Sequence, residues 1–125
     1  MNSQKTLRVG MLGCGVVGSE VARLIVANKS DLAARSGAQL DLVKIGVRNL
    51  SRANVNKALL TTDLEAIVSD PTIDLVIEVI GGIEPARTLI LSAFANGKSV
   101  VTANKALLAK HGGELFAAAD KNGVD

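Results

Sequence analysis

Apolar residues in this chain gather in short blocks, and the blocks alternate in character. Residues 7–12 form an unbroken, mostly apolar run that predicts a buried strand. Glu20-Val21-Ala22-Arg23-Leu24-Ile25-Val26 then repeats its apolar positions at helical spacing, predicting a helix from Gly15 to about Asn28. Residues 29–39 are small and polar, with Ser36-Gly37 as a breaker, and read as a loop or a frayed helix end. Residues 40–47 predict a second strand, residues 49–56 a turn-like stretch, and residues 58–62 a short third strand. Asp63 reads as the cap of a helix over 64–69, which Asp70-Pro71 stops. Residues 74–80 predict a strongly apolar strand ending at Gly81-Gly82. Pro85 fits the first turn of a helix reaching about Ala95, closed by Asn96-Gly97. Residues 99–102 predict a fifth strand, and Asn104 opens a helix interrupted at Gly112-Gly113 and resumed through Asp120.

Strands that alternate with helices imply a parallel sheet covered on both faces, because parallel neighbours need a crossover and the crossover helix packs back onto the sheet. The expected fold is therefore α/β, a Rossmann-like doubly wound parallel sheet in a single domain over residues 1–125. Ligands of such sheets sit at the carboxyl ends of the strands. Four loops lie there: Gly13, Val47-Arg48, Ile80-Gly81-Gly82 and Thr102-Ala103-Asn104-Lys105. They should converge on one crevice. Asn122-Gly123-Val124-Asp125 reads as a helix stop followed by the start of another strand. That pattern reads as an N-terminal domain of a longer protein, with a natural single-domain binding module as the alternative.

The first of these loops carries a recognisable chemistry. Gly13-Cys14-Gly15-Val16-Val17-Gly18 is a G-x-G-x-x-G sequence between a strand and a helix. Gly13 permits the tight turn, Gly15 lets a pyrophosphate approach the backbone, and Gly18 lets the helix lie close to the strand. Free N–H groups and the positive end of the helix dipole then face the phosphates. The second loop bears on which dinucleotide. An acid after the second strand would hold a ribose hydroxyl, whereas an arginine accommodates a 2′-phosphate. The residue after Val47 is Arg48, followed by Asn49, Ser51 and Arg52. A guanidinium matches phosphate bidentately, so NADP(H) is favoured over NAD(H). Asp31 is the acid nearest the usual spacing, but it falls in the loop ahead of the strand.

Composition narrows the rest. The chain has 125 residues, 48% hydrophobic and 21% charged, which suits a folded domain with a core of its own. A net charge of +2 argues against nucleic acid and anionic membranes as partners. Two Phe and no Trp or Tyr leave no stacking platform for single strands. No apolar run approaches the ~20 residues of a membrane span, and the first residues lack a signal-peptide core. Cys14 is the single cysteine and cannot form an internal disulfide, so a reducing cytoplasm is expected.

Three blocks together resemble homoserine dehydrogenase: the glycine loop after Val9-Gly10-Met11-Leu12, then the stretch from Ile77 to Arg87, then the stretch from Gly97 to Ala109 with its Ala103-Asn104-Lys105. The similarity covers essentially the whole chain, but only that family's nucleotide-binding part. It implies NAD(P)-dependent interconversion of L-homoserine and L-aspartate 4-semialdehyde, in the synthesis of threonine, methionine and isoleucine. It implies that Gly13–Gly18 carries the pyrophosphate, that Arg48 lies by the adenosine ribose, and that Ile80, Gly81 and Gly82 line the cofactor. Thr102, Ala103, Asn104 and Lys105 would lie near the nicotinamide, with Lys105 at the reaction centre. The substrate-binding and dimerisation region would follow position 125, so this chain is expected to bind cofactor without turnover, and the intact enzyme to be a homo-oligomer through that region.

Physical chemistry gives Lys105 interest of its own. A cation in the first turn of a helix opposes the dipole by ~0.3–1 kcal/mol, and oxidation of an alcohol needs its hydroxyl proton moved. Other residues read as structural. Glu78 is a carboxylate in an apolar strand and needs hydrogen-bond partners. Glu84 helps to start a helix, Lys98 is a turn charge, and Cys14 is a small residue facing the cofactor. His111 and Cys14 are too few and too far apart for a metal site, so none is expected. Two other readings stay open: the cofactor domain of another two-domain oxidoreductase (aspartate-dehydrogenase-like or glucose–fructose-oxidoreductase-like), and a non-enzymatic nucleotide-sensing module. The sugar oxidoreductases carry Glu-Lys-Pro where this chain has Ala103-Asn104-Lys105, and a sensing module has no need of Lys105 or Gly81-Gly82.

Overall fold

Five parallel strands in the order β3-β2-β1-β4-β5 form the sheet of the computed structural model, which describes residues 5–27, 38–48 and 57–125. They are β1 (Lys5–Leu12), β2 (Ala38–Gly46), β3 (Leu60–Thr61), β4 (Leu75–Glu78) and β5 (Ser99–Thr102). Among the described residues the helices are α1 (Val16–Ala27), α2 (Leu64–Ser69), α3 (Ala86–Ala95) and α4 (Lys105–Lys121), with a 3₁₀ turn at Lys57–Leu59. The order reverses between β1 and β4, which is the switch point of a doubly wound sheet.

Each face of the sheet is covered by what the apolar positions supply. On one side Ala22 and Ile25 of α1 pack on Val9, Met11 and Ile45. On the other, Ile67 and Val68 of α2 and Leu89 and Ala93 of α3 pack on Leu12 and Val76. A third cluster joins α3 to α4 through Ile90, Phe94, Leu107 and Leu115. Two strand glycines let α2 sink onto the sheet. A Cβ on Gly46 would overlap the Leu64 side chain and lie 2.9 Å from Ile67 Cδ1, and one on Gly10 would lie 2.5 Å from Ile67 Cγ2. The β1–β2 ladder slips once: Val9 pairs with Leu42 but Gly10 with Lys44, leaving Val43 as the extra residue.

Several elements form as the pattern predicts. Asp63 caps α2 by accepting from the Ala66 N–H at 3.1 Å, and Asp70 ends it. Glu84 starts α3, its Oε1 accepting from the Thr88 N–H at 3.0 Å and the Thr88 hydroxyl at 2.8 Å.

Three expectations need correction. β2 begins at Ala38, inside the stretch read as loop, because Lys5 and Thr6 extend β1 and offer Ala38 and Gln39 partners. β3 is only Leu60–Thr61, since the 3₁₀ turn takes the residues before it. Lys98 is no turn charge: it is 3% exposed, and its Nζ donates to the Asp70 carbonyl and, at 2.9 Å, to the Ile73 carbonyl. The expected interruption of α4, by contrast, forms: His111, directly before Gly112-Gly113, is non-helical (φ −128°, ψ 15°), and two helical segments join across that kink. Leu107 of the first segment and Leu115 of the second both pack in the cluster shared with α3. The expected loop at 29–37 and turn at 49–56 lie outside the described residues.

Candidate functional site

The carboxyl ends of β1 and β4 meet at the switch point. Gly13 leaves β1 with φ +96°, a conformation that disfavours any side chain. Its N–H donates to the Gly46 carbonyl at 2.7 Å, and the Val79 N–H donates to the Leu12 carbonyl at 2.9 Å, so the loop is fastened on both sides. A Cβ on Gly13 would stand 3.1 Å from the backbone of Val79 and Ile80. Gly18, in the first turn of α1, is equally crowded: a Cβ would meet Val79 Cγ2 at 3.0 Å and the Gly13 carbonyl oxygen at 3.1 Å. Gly15 is the opposite case. It is exposed, and no described atom would lie within 4 Å of a Cβ there. Between two packed glycines, the third therefore leaves bare backbone facing outward at the N-terminus of a 12-residue helix. Such a cradle fits an anion: the N-terminus of α1 offers N–H groups and its dipole, and no described atom stands over Gly15. Cys14 is half-buried, its Sγ 3.5 Å from Ser19 Oγ. Val16 and Val17 contribute the backbone of the first helical turn.

The β4 end is organised by one buried carboxylate. Glu78 is 1% exposed. Its Oε2 accepts from the N–H groups of Ile80 at 2.9 Å and Gly81 at 3.0 Å, and its Oε1 accepts from the Thr102 hydroxyl. These bonds end the strand: the ladder of β4 stops at Glu78, not at Ile80 as the apolar run implies. Gly81 and Gly82 then turn with φ +83° and +71°. The Thr102 oxygen in turn accepts from the Asn104 N–H at 3.0 Å, and Asn104 Nδ2 donates to the Gly82 carbonyl at 2.6 Å. Asn104 Oδ1 caps α4 by accepting from the Leu107 N–H at 3.2 Å. Lys105 follows as the first residue of that helix, exposed, with no ion-pair partner among the described residues.

Three of the four loops are thus in contact. Gly13–Gly18 touches Val79-Ile80, and Gly81-Gly82 is tied to Thr102-Ala103-Asn104-Lys105. A shallow cleft of about 170 Å³ opens there, lined by Glu78, Val79, Gly81, Ala103 and Asn104. Arg48 is exposed at the end of β2, one residue past Val47, whose N–H donates to the Thr61 carbonyl at 2.8 Å. Arg52 lies outside the described residues. Among the described residues no cluster of His, Cys, Asp and Glu could hold a metal ion, and no helix is long and apolar enough to cross a membrane.

One clamp behind the site escaped the sequence reading. Arg87 of α3 donates from Nε and Nη2 to both oxygens of Glu114 on α4, at 2.7 and 2.6 Å, and from Nη1 to Glu84 at 3.2 Å. Hydrogen bonding by Arg87 holds the Glu114 carboxyl below the usual glutamate range, and Thr88 does the same for Glu84. The local Glu84–Arg87 spacing is visible in the chain, but nothing in it marks a partner 27 residues away.

Residues 13–125 match the family model described as homoserine dehydrogenase, NAD binding domain. A homoserine dehydrogenase of Mycobacterium tuberculosis is 51% identical over 123 residues, covering 98% of this chain and 28% of that protein. The crystal structure of a homoserine dehydrogenase from Thiobacillus denitrificans superposes with a TM-score of 0.90 at 46% identity, over 99% of this chain and 29% of that one. A homoserine dehydrogenase structure from S. aureus gives 0.88 at 36% identity, over 98% of this chain and 31% of that one. The chain spans less than a third of each of these relatives.

Proposed function

The chain belongs to the homoserine dehydrogenase family, and from that premise we propose that it is the cofactor-binding part of an enzyme interconverting L-homoserine and L-aspartate 4-semialdehyde. The bound nicotinamide supplies the hydride acceptor or donor. The chain's own task is to hold and orient that group. Gly13–Gly18 takes the pyrophosphate on the α1 N-terminus, and Ile80, Gly81 and Gly82 offer a wall without bulky polar groups. Thr102, Ala103 and Asn104 line the far side. Lys105 lies where it can move or orient the proton of the substrate hydroxyl, in the family's Ala-Asn-Lys stretch. The observation that carries the cofactor part is the open face of Gly15 between the packed Gly13 and Gly18.

NADP(H) is the favoured form, with Arg48, helped by Arg52, on the 2′-phosphate, and NAD(H) is the lesser alternative. The chain spans 28% of the Mycobacterium tuberculosis relative. On this reading substrate residues and oligomer contacts lie in the remainder, and the 125 residues bind cofactor without turnover. The working compartment is the cytoplasm, with no nucleic-acid or membrane partner. Calorimetric titration of the chain with NADPH and NADH tests this reading. NADPH tighter than NADH, with the preference lost in Arg48→Ser, supports it; NADH equal or tighter overturns the Arg48 assignment, and no binding of either by folded protein overturns the cofactor reading. In a full-length protein carrying the chain, Lys105→Ala should abolish turnover of homoserine while NADPH still binds.

A further inference from the structure

We infer that Glu78 is a positioning residue for the reaction centre, acting through Thr102 and Asn104 to fix the first residue of α4, Lys105, against the Gly81-Gly82 wall. This rests on the proposed role of Lys105. A buried carboxylate is expensive unless both its oxygens are hydrogen-bonded, and Glu78 has no cationic partner among the described residues. It is instead held by three donors from two strand ends: Ile80 and Gly81 N–H on Oε2 from the end of its own strand, and the Thr102 hydroxyl on Oε1 from β5. Because the Thr102 proton goes to Glu78, the Thr102 oxygen presents its lone pairs to the Asn104 N–H. Asn104 is thereby placed to cap α4 with Oδ1 while Nδ2 returns to the Gly82 carbonyl. The circuit is closed, running from the β4 loop to β5, to the α4 cap, and back to the β4 loop. A carboxylate lets the Thr102 hydroxyl donate, whereas an amide at this position would donate its own N–H to the Thr102 oxygen, reversing that bond and taking the acceptor away from the Thr102 proton. Neither Glu78 nor Thr102 has to touch the substrate for this to matter. A displacement of about 1 Å at a reacting group costs up to ~100-fold in rate.

The test compares Thr102→Val, Thr102→Ser and Glu78→Gln in a full-length protein carrying this chain, measuring kcat, KM for homoserine and the dissociation constant of NADPH. Thr102→Val and Glu78→Gln should lower kcat by roughly 10- to 100-fold, well beyond any loss of NADPH affinity from the wall that Thr102 helps to line, and Thr102→Ser should restore most of the rate. A Thr102→Val enzyme with kcat within about twofold of wild type overturns the inference, as does a parallel loss of kcat and NADPH affinity. Should Glu78→Gln fail to fold, the Thr102 pair decides alone. Amide hydrogen exchange in the 125-residue chain gives a second readout that needs no turnover: Thr102→Val should speed exchange at Asn104 and Gly81, and unchanged exchange there overturns the inference. A wild-type protein that turns over no homoserine defeats the proposed function, and the exchange result still judges the circuit by itself.

Discussion

Substituting alanine at Gly15 and at Gly13 should separate binding from folding within one loop. At Gly15 the added methyl meets nothing within 4 Å among the described residues, and the backbone is not left-handed. Removing a glycine at such a site reduces the freedom of the unfolded chain, so Gly15→Ala should be neutral or stabilising by up to ~1 kcal/mol. At Gly13 the same methyl requires φ +96° and presses on the Val79 and Ile80 backbone at 3.1 Å, which cannot rotate away. That combination costs ~1–3 kcal/mol. For a domain of this size, about 4 °C in melting temperature corresponds to each kcal/mol. Binding should move the other way. A methyl on Gly15 occupies the space a phosphate needs to reach the N–H groups of α1, and losing one charge-assisted hydrogen bond is worth ~1.5–3 kcal/mol, or roughly 10- to 100-fold in affinity. Thermal melts and NADPH calorimetry on both variants provide the check. Gly15→Ala that melts like wild type and binds like wild type would refute the cradle. Gly15→Ala that melts well below wild type would refute the reading of its surroundings as open.

Three further outcomes are expected. Lys98→Met leaves the Asp70 and Ile73 carbonyls without their ammonium donor, so urea unfolding should show a loss of ~1–3 kcal/mol with NADPH affinity unchanged; an unaltered midpoint would mean water replaces the lysine. Gly46→Ala drives a methyl into Leu64 and Ile67 and should cost ~1–3 kcal/mol, part of which Leu64→Ala in the same molecule restores; additive losses in the double variant would contradict the steric account. Glu114 is lowered in the folded state, chiefly by its hydrogen bond with Arg87, so its contribution is complete above the ordinary glutamate value of about 4.3 and lost as the pH falls through the lowered one. The melting-temperature gap between wild type and Glu114→Gln at about pH 6 should therefore narrow as the pH is taken below the ordinary glutamate range, and a gap that never narrows would show that the Arg87 clamp does not stabilise the fold.

Most of the scaffold was legible because its signals are local. The Asp63 cap, the Asp70 stop and β5 each depend on residues within one turn or one strand, and they fall where the pattern puts them. The glycine loop was legible for the same reason. Misreadings occurred where a distant element decides the outcome. Lys98 follows Gly97 and looks like a solvated turn charge, yet the end of α2 is folded over it. Glu78 was expected to need partners, but the third of them, Thr102, is 24 residues away and only the sheet brings it near. The site is legible as four loops, and the bonds joining two of them are not.

The slip between β1 and β2 has a consequence for the site. Leu40 and Leu42 lie toward α1 before it, and Ile45 and Val47 lie toward the same side after it, although the two pairs differ in parity along the chain. Val43 is the odd tooth that changes the count. With it, Gly46 arrives level with Leu12, and its carbonyl meets the Gly13 N–H at 2.7 Å. Were the strand to run regularly through Val43, Gly10 would pair with Val43 and Leu12 with Ile45, turning Ile45 to the wrong face and leaving the loop's anchor one step out of phase. The height of the glycine loop above the sheet is thus metered by an irregularity several residues below it.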